Sequence, residues 1–268
     1  MPVKLLSEIW IYPLKSLGGI RLRSSRVLEK GLQYDRRWML VDEDGKFMTQ
    51  RVFPNMALFS TRLKDQALEV AHDNDSILIP LDRAETGASL MTTIWDDAVI
   101  TQEVSPAISG WFTDHIGINC KLVSFPESNP RPVDPDFAPK PGHVSLADGY
   151  PLLIIGQASL DDLNKRLADP VPMNRFRPNL VFTGGEPYEE DGWKKFAIGK
   201  NRFEGIKPCG RCTLTTVDQK TGTKGIEPLA TLAGYRKVNG EVKFGQNLIT
   251  IDHDKIKEGD EITLFDKS

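Results

Sequence analysis

The sequence predicts a β-rich α+β fold, and three observations support this class. Short runs rich in β-branched residues recur along the chain, two hairpin signals join such runs, and only three segments carry a helical pattern. The 268 residues are 40% hydrophobic and 26% charged with a net charge of -3, which excludes disorder and low-complexity structure. This length indicates one large or two modest domains.

The strand signals can be followed in chain order. A turn at Asp44-Gly45 between residues 38–41 and 47–49 predicts one hairpin, and Asn239-Gly240 predicts another. The β-branched runs predict six further strands, at residues 76–79, 121–125, 180–183, 213–217, 248–251 and 262–264.

The three helices have recognisable starts. Ser105 before Pro106 is typical of an N-cap followed by proline at the first helical position, and the apolar face of this helix ends at Gly117. Ser159 is predicted to cap a second helix, and a short third helix begins at Pro228. Strands and helices do not alternate as in βαβ units, and no solenoid repeat is present.

One stretch, residues 126–141, holds six prolines and therefore predicts an extended loop. It is either a plain linker or a lid over a site. Because it follows the first helix and precedes the next strand and helix, we place the domain boundary there. The predicted domains are residues 1–125 and 126–268.

Charge and cysteine content limit the function classes. Residues 1–40 carry eight basic and three acidic side chains, which indicates either a solvated basic face or a basic wall facing an anionic ligand. The remainder is acidic, so no nucleic-acid partner is expected. No segment reaches the roughly 18 apolar residues of a membrane span, and no signal peptide is evident. Together with three cysteines, too few for a secreted disulfide framework, this predicts a cytoplasmic protein without a membrane partner.

The segment Cys209-Gly210-Arg211-Cys212 has several possible uses. A zinc site would need about four ligands, and the sequence has no second cysteine pair. A redox dithiol normally begins a helix, whereas a predicted strand follows here. Two interpretations remain open: a thiol flanked by Lys207 and Arg211 that acts as nucleophile or metal ligand, or two cysteines without a chemical role.

Basic side chains next to aromatic ones form a second kind of signal. Lys15-Ser16 lacks the upstream glycines of a P-loop, although Lys15 can still bind a phosphate as a point charge. The segments Asp35-Arg36-Arg37-Trp38 and Arg175-Phe176-Arg177 each place arginine beside an aromatic ring. This pattern suits an anionic planar ligand, and equally a structural ion pair.

Taken together, five ordered segments give a family resemblance: residues 12–16, 35–38, 176–179, 209–218 and 244–247. Their sequences are YPLKS, DRRW, FRPN, CGRCTLTTVD and FGQN. The set resembles the MOSC proteins (molybdenum cofactor sulfurase C-terminal domain) that begin with an additional β-barrel domain. It is most similar to the amidoxime-reducing components and bacterial reductases of N-hydroxylated bases.

The resemblance implies an N-terminal β-barrel-like domain, a MOSC β-barrel domain with a few short helices, and a molybdenum cofactor (Mo-molybdopterin) bound between them. It implies that Cys212 is the catalytic residue and the protein ligand of the metal. The positions it assigns to cofactor binding are Lys15, Ser16, Arg36, Asp148, Arg177, Arg211 and Asn247.

The implied activity is reduction of an N–OH group to N–H in a small N-hydroxylated substrate. Electrons are expected from a separate flavin reductase or ferredoxin-type protein, because three cysteines cannot ligate an iron–sulfur cluster and no dinucleotide fingerprint occurs. The alternative function is a cofactor carrier or sulfur-transfer protein that uses a Cys212 persulfide.

Overall fold

The computed structural model describes residues 2–82, 88–133 and 142–265, and strands dominate them. The strands of the first half are β1 Leu5–Ile11, β2 Ile20–Leu22, β3 Ser24–Leu28, β4 Gly31–Leu32, β5 Trp38–Val41, β6 Ser60–Leu63, β7 Ala67–His72, β8 Asp75–Pro80, β9 Ser89–Ile94, β10 Asp97–Glu103 and β11 Lys121–Ser124. Those of the second half are β12 Leu152–Gly156, β13 Leu180–Thr183, β14 Lys195–Ile198, β15 Asn201–Arg211, β16 Lys237–Val238, β17 Glu241–Thr250, β18 Lys255–Lys257 and β19 Ile262–Leu264. The α-helices are α1 Pro106–Ile116, α2 Gln157–Asn164 and α3 Leu229–Ala233, and the predicted β-rich class is confirmed.

The largest sheet contains strands from both ends of the chain. Its order is β19-β14-β15-β17-β12-β13-β1-β2, with β16 paired to β17. The N–H of Leu6 donates to the carbonyl of Asp260 (2.9 Å) and the N–H of Ile262 to that of Lys4 (2.9 Å), so β1 also joins the segment entering β19. These bonds close the sheet around a core to which Ile9 and Phe196 belong. The closed sheet is the barrel that the resemblance implied.

The remaining strands of the first half build three smaller sheets. One has the order β5-β11-β10-β9, a second has β6-β7-β8, and a third pairs β3 with both β4 and β18. Helix α1 contacts β11 and β8, and its Phe112 is fully buried together with Phe59 and Trp38. Because β1 and β2 belong to the sheet of the second half, the halves share backbone hydrogen bonds, and the domain boundary near residue 126 stays a prediction.

Most predicted elements are present where the sequence places them. The turn at Gly45 joins β5 to a single bridge at Phe47, the Asn239-Gly240 hairpin joins β16 to β17, and α1 begins after Ser105 and ends before Gly117. Of the proline-rich stretch the structure describes residues 126–133, which contain a turn and an isolated bridge. Residues 134–141 lie outside the described residues.

Two predictions about local structure are wrong. Residues 213–216 form a 3-10 helix instead of a strand, because the hydroxyls of Thr215 and Thr216 bond back to the carbonyls of Cys212 and Thr213. Helix α2 begins after Gly156, so Ser159 lies inside it. The described residues contain a βαβ unit, because β12 and β13 are parallel and α2 lies between them in sequence, but strands and helices do not alternate regularly. Within the described ranges, no helix combines the length and apolar character of a membrane span.

The first turn of α2 is held by a buried carboxyl group instead of a serine cap. Glu190 is fully buried, and its Oε1 accepts from the Gly156 N–H (3.0 Å) and the Ser159 hydroxyl (2.9 Å). Burial raises the pKa of Glu190 from 4.5 to about 7, although these hydrogen bonds favour the ionised form and oppose the shift.

We predict that Glu190 makes the protein less stable as the pH rises from 4.5 to 7. A carboxyl group whose pKa is higher in the folded state binds its proton more tightly there. Its stabilising contribution to the free energy of unfolding is therefore complete below pH 4.5 and disappears as the pH rises to 7. A difference of this size corresponds to roughly 3 kcal/mol. Urea unfolding at pH 4.5, 6 and 8 should show a smaller pH dependence for Glu190→Gln than for the unmodified chain. The neighbouring Glu189→Gln is the control, and an equal slope in all three proteins would contradict the prediction.

Candidate functional site

All eight residues that the sequence analysis selected line one cleft. It has a volume of about 310 Å³ and lies where the loops after β1 and β4 meet the ends of β12, β15 and β17. The eight are Lys15, Ser16, Arg36, Asp148, Arg177, Arg211, Cys212 and Asn247. Their placement together is a property of the structure, whereas their roles stay predictions.

The cleft is strongly cationic. Among the described residues, its charged lining consists of seven basic and two acidic side chains. The basic ones are Lys15, Arg36, Arg51, Arg177, Lys207, Arg211 and Lys243, and the acidic ones are Asp148 and Glu241. The excess comes from both halves of the chain, and a concave surface of one sign concentrates ligands of the other.

Lys15 lies buried at the floor of the cleft. Its ammonium donates to the carbonyl of Leu146 (2.8 Å) and to the Asp148 carboxylate. Burial lowers the pKa of Lys15, and the Asp148 charge opposes that shift. Desolvation by the surrounding protein atoms raises the pKa of Asp148, but the positive charges of Lys15 and, less strongly, of Arg51 lower it. The pKa of Asp148 therefore lies below its ordinary range. Asp148 thus remains ionised at neutral pH, and its negative charge favours the protonated form of Lys15.

Arg131, which the sequence analysis missed, fixes the loop that carries Asp148. Its guanidinium is buried and donates to the carbonyls of Ser145 and Ala147, both at 2.6 Å. It also donates to the Asp97 carboxylate at 2.7 Å. The cation thus ties the loop after the proline-rich stretch to β10. No local pattern marks this role, because the partners are distant in sequence.

Tyr12 holds the two arginines of the cleft wall. The guanidinium carbon of Arg36 lies 4.6 Å from the centre of the Tyr12 ring, and that of Arg177 lies 4.2 Å from it. Arg36 also donates to Asp35 (2.6 Å) and Asn179 (3.1 Å). Burial lowers the pKa of Arg177 to about 10 and raises that of Tyr12 to about 12, so the arginine stays charged and the tyrosine neutral at pH 7.

Three of the selected residues have an unusual backbone. The φ angles of Ser16, Arg36 and Arg177 are 70°, 48° and 53°, in the left-handed region that non-glycine residues rarely adopt. The carbonyl of Ser16 accepts from the Gln50 amide at 2.6 Å, and the N–H of Arg36 donates to the Tyr12 carbonyl at 2.9 Å. Such conformations cost about 1–3 kcal/mol each and cluster at binding sites, which indicates that the surrounding fold enforces them.

The two cysteines at the end of β15 have different surroundings. Cys209 is half-buried against the core beside α3, and it accepts a hydrogen bond from Arg211 at 3.2 Å. Cys212 is exposed and lies immediately before the 3-10 helix, where its carbonyl accepts from the Thr215 N–H at 3.1 Å. The geometry therefore distinguishes the thiols, and Cys212 faces the open end of the cleft.

The two thiols have different cationic neighbours. The sequence analysis expected Lys207 and Arg211 beside a thiol of this segment, and Arg211 does contact Cys209, as well as the Phe176 carbonyl (2.6 Å). The guanidinium that reaches Cys212 is that of Arg51, whose Nη1 lies 3.9 Å from Sγ. Sequence spacing could not reveal this pair, because 161 positions separate the two residues.

Two buried polar atoms of the cleft have no partner within the part of the chain that the structure describes. They are Nε of Arg211 and Oγ1 of Thr49. Buried polar atoms without a protein partner are uncommon, and a ligand, ion or water that would bind there is one explanation for them. Among the described residues, no group of three histidine, cysteine, aspartate or glutamate side chains is arranged to hold a metal ion.

Comparison with known proteins places this architecture in a family. Residues 3–119 match the model of the MOSC N-terminal beta barrel domain, and residues 141–263 match that of the MOSC domain. The chain is 31% identical over 280 residues to mitochondrial amidoxime-reducing component 1 of Mus musculus, covering 97% of this chain and 82% of that protein.

A second group of relatives is longer. The chain is 32% identical over 280 residues to the molybdenum cofactor sulfurase of Oryza sativa subsp. japonica, covering 97% of this chain but 34% of that protein. The chain thus spans about a third of the sulfurase's length. The two domain matches and the amidoxime-reducing relative together show that the chain belongs to the MOSC family, with a MOSC N-terminal beta barrel domain followed by a MOSC domain.

Proposed function

We propose that this protein is a molybdenum-cofactor-binding oxidoreductase that reduces N-hydroxylated compounds, converting N–OH to N–H. The observation that carries the proposal is the exposed thiol of Cys212 at the open end of a buried cationic cleft. Similarity to the amidoxime-reducing component of Mus musculus supports the reaction class.

The residues present fit a phosphorylated pterin. Lys15, Arg36 and Arg177 supply charge for a phosphate, and charge-assisted hydrogen bonds from such groups are the strong ones. The unpartnered Arg211 Nε and Thr49 hydroxyl are polar atoms that a bound ligand would satisfy. Ser16, Asp148 and Asn247 line the same cleft and would contact the remaining polar atoms of the pterin.

The residues around Cys212 would hold the metal and leave it accessible to the substrate. When bound, the cofactor supplies a metal that accepts an oxygen atom from N–OH and exchanges two electrons. The Cys212 thiolate would be the protein's ligand to that metal. Arg51 would donate to the thiolate sulfur, and hydrogen bonds of this kind orient metal ligands. The open end of the cleft would admit the substrate.

The electrons would come from a separate redox protein of the flavin reductase or ferredoxin type. The three cysteines of the sequence are fewer than an iron–sulfur cluster requires. All three are free thiols, which is typical of a reducing compartment, and we accordingly propose a cytoplasmic location.

A cofactor carrier or sulfur-transfer protein is the second candidate. The identity to the rice molybdenum cofactor sulfurase over 97% of the chain favours it, and an exposed Cys212 suits a persulfide. Mass spectrometry of the purified protein distinguishes the candidates. A persulfide on Cys212 without amidoxime reduction supports the carrier, whereas molybdenum and pterin with reduction by an artificial dye support the oxidoreductase.

We predict that Cys212→Ser abolishes reduction of benzamidoxime and lowers molybdenum retention by more than about 100-fold. Removing a residue that only hydrogen-bonds a metal ligand costs up to about 100-fold, and loss of the ligand itself should cost more. Cys209→Ser is the matched control and should retain most of the metal, because Cys209 packs against the core beneath Arg211. Elemental analysis of protein from a cofactor-competent host provides the measurement. Equal losses in both variants would indicate a dithiol mechanism instead.

A second prediction compares two equally buried arginines. Arg177 lines the cleft, whereas Arg175 does not line it and bonds the carbonyls of Thr215 (2.8 Å) and Glu227 (3.0 Å). Arg177→Met should lower cofactor affinity by about 10- to 150-fold, from the loss of a contact worth roughly 1.5–3 kcal/mol. Arg175→Met should lower the melting temperature with less effect on pterin content. If both variants lose only stability, the cleft arginine has a structural role.

The third prediction concerns the source of electrons. The isolated chain, loaded with cofactor, should reduce benzamidoxime with a low-potential dye and show no turnover with NADH or NADPH alone. A flavin reductase or ferredoxin-type partner from the same cell should restore dependence on the pyridine nucleotide. Sustained NADH-driven turnover by the pure chain would show that it contains a nucleotide or flavin site.

A further inference from the structure

Arg51 is set apart from the other cleft arginines by its contacts. Arg36 bonds Asp35, Arg211 bonds the Phe176 carbonyl, and Arg177 donates to a backbone carbonyl at 2.7 Å. Within residues 2–82, 88–133 and 142–265, the guanidinium of Arg51 donates to Cys212 Sγ and to no oxygen acceptor, although its charge helps to lower the pKa of Asp148. A guanidinium presents five donors, so most of them remain available.

The guanidinium is nevertheless held in place. It lies 4.0 Å from the ring centre of Trp95 and 5.8 Å from that of Phe47, which are separated from each other by 5.5 Å. Trp95 is 48% exposed at the β9–β10 turn, and its side chain hydrogen-bonds Asp148, which lines the cleft. Stacking on an aromatic face restrains the guanidinium plane without using its donors.

The backbone of Arg51 is also anchored from both halves of the chain. Gln50 donates to the Ser16 carbonyl at 2.6 Å, and the Lys224 ammonium donates to the carbonyl of Arg51 at 3.1 Å. The N–H of Phe53 donates to the Thr49 carbonyl at 2.8 Å, which closes the turn. The side chain is therefore a positioned, incompletely bonded cation beside the candidate reactive centre.

From this geometry we propose that Arg51 is a specificity-determining residue that binds an anionic group of the substrate. The preferred substrates are N-hydroxylated compounds that carry a carboxylate or phosphate near the N–OH group, and Trp95 positions the arginine for them. The inference rests on the proposed function. Lys15, Arg36 and Arg177 each donate to oxygen acceptors of the protein, which leaves the guanidinium of Arg51 for the substrate.

The test uses the cofactor-loaded full chain and matched substrates: benzamidoxime, its 3-carboxy and 4-carboxy derivatives, and a low-potential dye as reductant. We expect a lower KM for at least one carboxylate than for the neutral compound. Arg51→Met should raise that KM by about 10- to 100-fold more than it raises the KM for benzamidoxime, because only the carboxylate loses a charge-assisted contact. Arg51→Lys should restore part of the preference, because lysine keeps the charge but lacks the planar fork.

Binding without turnover gives an independent readout. Calorimetry of the oxidised protein with the carboxylate, in the absence of reductant, should show the same loss of affinity in Arg51→Met. Lys224→Gln is the control, since it removes one nearby charge and keeps a donor for the Arg51 carbonyl, and it should retain the preference for the carboxylate.

The outcomes separate the two proposals. Reduction of the neutral and anionic compounds with equal KM, or an anion preference unchanged by Arg51→Met, overturns the inference and leaves the proposed function intact. A parallel loss of pterin in Arg51→Met also overturns it, because the arginine would then bind the cofactor. If no amidoxime is reduced and no molybdenum is retained, the proposed function itself fails. In that case, a loss of carboxylate binding in calorimetry would still support the anion site.

Discussion

The insertion of β1 into the sheet of the second half is the constraint on which the cleft depends. This strand pairs with β13 on one side and with the segment entering β19 on the other, so the first residues of the chain are fixed by its last ones. The loop that follows therefore starts at the barrel rim. Lys15 reaches the cleft four residues after the strand end, and Tyr12 packs behind the cleft wall, where its N–H donates to Asp35 at 2.7 Å.

Once these residues are at the barrel rim, the energetics of burial determine their contacts. An isolated buried charge is costly, and each cation of the floor and wall has acceptors to compensate for lost water. Lys15 has Leu146 and Asp148, and Arg36 has Asp35 and Asn179. Much of this compensation comes from neutral carbonyl and amide oxygens, so the cations keep a positive excess. The fold thus maintains a field for an anion while satisfying the individual hydrogen bonds.

The sequence predicted the composition of the site better than its local geometry. Sequence patterns predict the fold class and most strands, and the resemblance predicts the eight selected residues that line the cleft. Both depend on the types of residues and their order along the chain. The β-branched side chains of residues 213–217 predict a strand, but the hydroxyls of Thr215 and Thr216 bond to nearby carbonyls and favour a 3-10 turn. Arg51 and Arg131 escaped notice because their partners are distant in sequence, and no periodicity records such contacts.

The two ends of the cleft differ in rigidity and exposure, which has a functional consequence. At the closed end, residues with positive φ angles and buried cations are held by many hydrogen bonds. A substitution there would therefore also displace the backbone. At the open end, Cys212 is exposed, and Arg51 rests against a half-exposed indole. Substitutions at the rim can therefore alter what approaches the thiol without disturbing what binds beneath it. Under the proposed function, such a cleft would separate retention of the cofactor from selection of the substrate, so substrate preference could change while the floor is kept.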